Sequence, residues 1–194
     1  MVALRQMREK GVTVRVITNS LAATDVVSVH SGYQRYREAL LAAGIELYEL
    51  KPSAAQKQDQ AAWQRDARAG AAHGVSGSSR AALHAKTLFV DRRTLFVGSM
   101  NLDPRSVFLN TEIGVILEMP ELARKLAAQF EPELRESAYR LALVPDGLPG
   151  SGTRLEWISL EPAGEVRYAS EPGASLWRRL TAGFLSLLPI ESQL

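Results

Sequence analysis

His84 and Lys86 stand two residues apart in the run His84-Ala85-Lys86-Thr87-Leu88-Phe89-Val90-Asp91, and Gly98-Ser99-Met100-Asn101 follows after six further residues. Side chains alternate along an extended segment, so the imidazole and the ammonium point to the same side. That side offers a nucleophile or acid beside a fixed cation, a pair suited to a phosphate. Gly98 lets the backbone come close, and Ser99 and Asn101 add a hydroxyl and an amide able to complete a cradle around phosphoryl oxygens. The chain has no cysteine, which excludes disulfides and thiol chemistry, and no metal-ligand cluster accompanies the pair. A metal-independent reaction with no cofactor is expected.

The elements that must position these residues read as an α/β fold. Val12 to Thr18 alternates and is rich in valine, a strand that Asn19 and Ser20 end in a loop. Tyr33, Tyr36, Leu40 and Leu41 recur at helical spacing before Gly44, predicting a helix over His30 to Ala43, with Ile45 to Leu50 the next strand. Lys51 to Ala71 is rich in Ala, Gln and Arg with weak periodicity, a surface loop or short helix, and Gly74 to Ser79 is a Gly/Ser loop. Leu83 to Val90 and Thr94 to Val97 pair across Asp91-Arg92-Arg93, and Glu112 to Glu118 is another strand. Pro120 opens a helix from Glu121 to about Ala138. These elements make a mixed β-sheet flanked by helices. Pro145 to Gly152 reads as a linker, Leu155 to Tyr168 as a hairpin around Ala163-Gly164. Leu176, Trp177, Leu180, Phe184, Leu187 and Leu188 form an apolar stripe beside Arg178 and Arg179, fitting either a helix packed on its own domain or one lying at a membrane interface. The expected organisation is a catalytic half-domain over 1–145 and a C-terminal appendage over 146–194.

At 194 residues and 46% hydrophobic content the chain can bury a core, which excludes disorder as the default. The 23 Lys and Arg against 21 Asp and Glu leave a formal charge of +2, too small to choose between anionic lipid and nucleic acid. No run of about 18 apolar residues predicts a spanning helix, and Met1 to Lys10 lacks the apolar core of an export signal.

The spacing H-x-K, four residues, D, six residues, G-S-x-N resembles the signature of the phospholipase D superfamily at every defined position. The likeness continues through Asn101-Leu102-Asp103-Pro104-Arg105-Ser106 and Leu109-Asn110-Thr111-Glu112, as in the bacterial cardiolipin synthase branch rather than the nuclease branch. Ile17-Thr18-Asn19-Ser20-Leu21-Ala22, Val29 to Arg37 and the tail from Ser170-Glu171-Pro172-Gly173-Ala174 to Glu191 resemble the C-type cardiolipin synthases. Members of this superfamily carry two H-x-K motifs facing one another, and this chain has one, because His30 precedes Ser31-Gly32 and His73 precedes Gly74-Val75. The expectation is a carboxyl-terminal half of a longer enzyme, or a chain whose second copy completes the site.

The resemblance implies a phosphatidyl transfer through a phosphohistidine. His84 would be the acid and later base, with the covalent histidine on the missing half. Lys86 and Asn101 would hold phosphoryl oxygens and Ser99 would support the cradle. Glu112, twenty-eight residues after His84, would orient the imidazole and favour its charged form. Asp91, although a motif letter, reads better as a structural residue of the strand turn. Arg105 and Asn110 are weaker substrate-binding candidates, equally able to support the sheet edge. His30 and Tyr33 could reach the mouth of the site, or be a helix-capping His and a core Tyr. His73 is expected to be solvated, and Asp103-Pro104 to make a turn.

The implied product is cardiolipin, with phosphatidylglycerol as acceptor and phosphatidylethanolamine as a possible donor. The alternatives are a phospholipase D-type hydrolase, a homodimeric single-motif phosphodiesterase or nuclease, and an inactive lipid-binding fragment. Phospholipid and a membrane surface are the expected partners and nucleic acid is not. The implied location is peripheral, on the cytoplasmic face of a bacterial inner membrane.

Overall fold

The computed structural model describes residues 2–52, 86–101, 106, 109–147 and 152–187. His73, His84, Arg105, the turn at Asp103-Pro104, the segments expected around Lys51 to Ala71 and Gly74 to Ser79, and the tail from Leu188 lie wholly or largely outside these residues. The chain is α/β and begins with α1 (Val2–Glu9), β1 (Arg15–Asn19), α2 (Val27–Gln34), α3 (Arg37–Ala42) and β2 (Glu46–Leu50). β1 and β2 run parallel, Arg15 opposite Glu46 and Asn19 opposite Leu50; parallel neighbours need a crossover, which α2 and α3 supply.

The single helix expected over His30 to Ala43 is two. The Tyr36 N–H donates to the Tyr33 carbonyl at 2.9 Å, a tighter closure than the α-helical one, and it ends α2 where Arg37 turns inward. Gly44, at φ +78°, stops α3 as expected, because a left-handed residue at a helix end costs glycine nothing.

Two further elements have no counterpart in the sequence reading. α1 occupies the polar amino-terminal stretch, and β6 (Ala138–Pro145) follows directly on α4 (Pro120–Ser137). β6 is central. It pairs antiparallel with β2 on one side and with β7 (Thr153–Glu161) on the other, and β7 continues into β8 (Gly164–Tyr168). The five strands run β1-β2-β6-β7-β8, so the expected hairpin around Ala163-Gly164 forms the edge of the main sheet. Leu40, Ile45, Leu47, Tyr139, Leu141 and Trp157 make the core beneath it. A Leu buried as fully as Leu47 contributes on the order of 1.5–3 kcal/mol.

The motif residues belong to a second sheet of β3 (Lys86–Val90), β4 (Thr94–Gly98) and β5 (Gly114–Glu118), antiparallel throughout. The β3–β4 turn places Asp91 and Arg92 at φ 51° and 53°, with the Arg93 N–H donating to the Val90 carbonyl at 3.0 Å. Asp tolerates this left-handed region better than most residues. β4 touches α4, and the Met119 N–H donates to the Arg93 carbonyl at 3.1 Å. The last helix, α5 (Leu176–Ser186), lies against α2.

Candidate active site

Lys86 opens β3 opposite Gly98 of β4, which in turn faces Gly114 of β5. Neither glycine has room for a side chain. A Cβ at Gly98 would sit 2.6 Å from the Ile113 carbonyl oxygen, and one at Gly114 2.3 Å from the Phe96 ring. The strand ends therefore approach closely enough for the residues just beyond them to interlock. The Ser99 N–H donates to the Ile113 carbonyl at 2.8 Å, and the Ile113 N–H donates back to Ser99 Oγ at 3.0 Å.

This interlock fixes a carboxylate. Ser99 Oγ donates to Glu112 Oε2 at 2.5 Å, and Asn110 Nδ2 donates to Oε1 at 3.3 Å. The Ser99 hydroxyl is the main reason the Glu112 carboxyl is held below the usual glutamate range, against a small cost of burial; Ser106, Asn110 and the charge of Lys86 add to the effect. Hydrogen bonds to the charged form and a nearby cation both favour ionisation. The arrangement is an anion clamped at the end of β3 with a lysine beside it.

Ser99 differs from the expectation in one respect: its hydroxyl faces the Glu112 carboxylate and, at 3.3 Å, the Ile113 carbonyl, so it supports the carboxylate rather than standing free for a phosphate. Asn110 likewise touches Glu112. Asn101 is exposed just beyond Ser99. Asp91 stands at the far end of β3, roughly 16 Å from Lys86 at about 3.3 Å per residue, in the turn itself. The structure thus gathers Lys86, Ser99, Asn110 and Glu112 at one end of the sheet, with Ser106 joining them, and leaves Asp91 at the other. His84 and Arg105 fall outside the described residues.

His30 and Tyr33 lie elsewhere, in a buried ionic cluster the sequence reading did not assemble. Arg37 Nε is 2.8 Å from Glu49 Oε1 and its Nη1 2.6 Å from Glu171 Oε1. Its Nη2 is 2.5 Å from His30 Nε2. Trp157 Nε1 donates to Glu49 Oε2 at 2.9 Å, and Tyr33 packs edge-on to His30 and under the Arg37 guanidinium. Burial pushes the Glu49 carboxyl and the Tyr33 hydroxyl up. Burial works the same way on Glu171, but His30 and Arg37 outweigh it and hold that carboxyl below its ordinary value. One signal was available: Glu49 shares the inward face of β2 with Leu47, and a charge at an inward strand position demands a partner.

Among the described residues no group of three or more His, Cys, Asp or Glu is placed to hold a metal ion, and no helix is long and apolar enough to cross a membrane.

The described residues thus place Lys86 at the start of a glycine-lined three-stranded sheet beside a clamped glutamate, and comparison with known proteins gives the family. Residues 1–134 match the family described as cardiolipin synthase, PLD-like domain, and the chain belongs to it. It is 40% identical over 188 residues to a protein named cardiolipin synthase C of Escherichia coli (strain K12), covering 97% of this chain and 36% of that protein. An uncharacterized protein of Helicobacter pylori (strain ATCC 700392 / 26695) is 26% identical over 180 residues, covering 93% and 32%. A probable cardiolipin synthase of Bacillus subtilis (strain 168) is 31% identical over 135 residues, covering 70% and 21%. The chain spans about a third of the length of the first two relatives. No solved structure matches it.

Proposed function

We propose that the chain is one H-x-K-bearing half of a phosphatidyltransferase that forms cardiolipin from two phospholipids. The observation that carries this reading is the carboxylate of Glu112, held ionised beside Lys86 by Ser99 and Asn110. A fixed carboxylate at that place is suited to bond the imidazole of His84 and favour imidazolium, while Lys86 and Asn101 meet the phosphoryl oxygens.

The reaction then balances as two displacements. A histidine of the other half, or of a second copy, attacks phosphorus. A P–N bond forms, the P–O bond to the donor's head-group alcohol breaks, and His84 gives its proton to the departing alkoxide. The hydroxyl of phosphatidylglycerol next attacks the phosphatidyl-histidine as His84 takes its proton back, releasing the first histidine. Phosphatidylglycerol and phosphatidylethanolamine are the donors to test; water as acceptor would give phosphatidate instead. The division between 1–145 and 146–194 is one of role, chemistry against lipid contact, since the main sheet runs through both. Such an enzyme works on the membrane surface, with the cytoplasmic leaflet as the proposed side.

The test presents phosphatidylglycerol vesicles and labelled DNA separately to the chain, alone and combined with a second H-x-K-bearing half. Cardiolipin is the expected product. DNA cleavage without lipid turnover would overturn the reading, and phosphatidate alone would make the protein a hydrolase.

A further inference from the structure

α5 is mounted with its apolar side outward. Leu176, Trp177, Leu180, Phe184 and Leu187 are between 54% and 81% exposed. At 100° per residue they share an arc of about 100°. The opposite side is fixed to the domain by small and polar groups. Ala182 is buried against Leu21, Ala22 and Ala174. Arg178 Nε donates to the Leu21 carbonyl at 2.7 Å and its Nη2 to the Thr24 carbonyl. Gln34 Nε2 donates to the Ala182 carbonyl at 3.1 Å, and Arg35 to the Ser186 carbonyl. Ser175 caps the helix, its Oγ accepting from the Arg178 N–H at 3.3 Å. A surface helix of a water-soluble domain ordinarily buries its apolar stripe and exposes its polar one; α5 does the reverse.

We propose that this face of α5 docks into the surface of an anionic phospholipid bilayer, with the helix lying in the plane of the head groups. Charge complementarity selects this occupant. α5 carries no carboxylate; Arg178 turns into the domain, while Arg179, about 60° from the edge of the arc at 100° per residue, and Arg35, held at the Ser186 carbonyl, stand along one flank, so that flank of the apolar arc is cationic. Trp177 supplies the amphipathic ring favoured at the boundary between head groups and acyl chains, and a single flat arc suits a helix lying shallowly in that boundary. This rests on the reading that the substrates are phospholipids, which the active site must meet at a bilayer surface.

Co-sedimentation of the 194-residue chain with vesicles decides it. Phosphatidylcholine vesicles containing phosphatidylglycerol should carry the chain to the pellet at least tenfold better than pure phosphatidylcholine, and high salt should weaken the binding. The variant L180S/F184S/L187S should lose at least tenfold in partition with an unchanged melting profile, because those side chains point away from the domain. If the triple variant loses its fold, Trp177→Ser with at least a threefold loss serves instead. Equal pelleting of wild type and variants would overturn the proposal. So would a wild-type chain that ignores vesicles but forms a dimer broken by the substitutions, since the face would then be a protein interface. Lys86→Ala should still bind vesicles; vesicle binding without lipid turnover by the completed site would count against the transferase reading and leave the docking face standing.

Discussion

Glu49 and Arg37 are buried beneath the five-stranded sheet, whereas Glu112 and Lys86 stand partly open at one end of the three-stranded sheet. The first pair is enclosed by Trp157, Glu171 and His30. The second has polar neighbours on one side and lies open on the other, beside strands whose Leu88, Val115 and Ile116 are exposed. A charge taken out of water must be met by fixed partners or it destabilises the fold, so the buried cluster is structural. A charge left partly open and held by neutral donors stays ready for a ligand. The molecule keeps one set of charges buried and partnered and leaves the other, the proposed reactive set, partly open, and substitutions should separate the two.

The largest effect is expected from Arg37→Ala. It strands Glu49 and Glu171 in the core, and breaking a buried pair in this way costs about 3–5 kcal/mol. At about 2–4 °C per kcal/mol for a chain of this size, thermal melting should fall by roughly 10 °C. Unchanged melting would mean the cluster carries no stability and the contrast fails.

Gly98→Ala comes next. Its Cβ meets the Ile113 carbonyl and the Phe96 ring, and overpacking of this kind costs about 1–3 kcal/mol. Chemical denaturation would measure it, and loss of turnover should accompany the loss of stability because Ser99 moves with the strand. Ser99→Ala should do the opposite. It frees Glu112 but touches a surface position, so melting should hold within about 0.5 kcal/mol. Turnover by the completed site should drop about tenfold or more, the order of effect of a misplaced catalytic contact.

Glu112→Gln sharpens the assignment further. If the carboxylate favours imidazolium at His84, removing it lowers the histidine's pKa, and the alkaline limb of the kcat/KM profile should move down by about one pH unit. The smallest effect concerns Glu171. Its native pKa lies below its unfolded one, so the unfolded chain binds more protons between the two values. Its share of stability is therefore whole above the ordinary glutamate value of about 4.3 and is lost as pH falls through the native one. Glu171→Gln should flatten that part of the acid denaturation curve; an unchanged slope would detach Glu171 from the cluster.

The β3–β4 hairpin was legible because two short apolar runs flank Asp91-Arg92-Arg93, and α4 because Pro120 opens it. β6 was not: Ala138-Tyr139-Arg140 follows α4 with no glycine or proline to mark the change, and only pairing with β2 and β7 makes it a strand. The break between α2 and α3 was hidden in a helical pattern that Arg37 interrupts by turning inward. In the site, Lys86, Ser99, Asn110 and Glu112 were named through the family resemblance, but the contact of Ser99 with Glu112 was not. It depends on the Gly98–Gly114 approach, a cross-strand fact. The ionic cluster joins residues as far apart in sequence as His30 and Glu171, a separation that local periodicity does not see.

The central claim is that the three-stranded sheet performs phosphatidyl transfer. Radiolabelled phosphatidylglycerol in vesicles, given to the completed two-motif site with His84 intact and with His84→Ala, tests it directly. Labelled cardiolipin should form in the first case and be absent in the second. Equal cardiolipin from the His84→Ala protein would contradict the account.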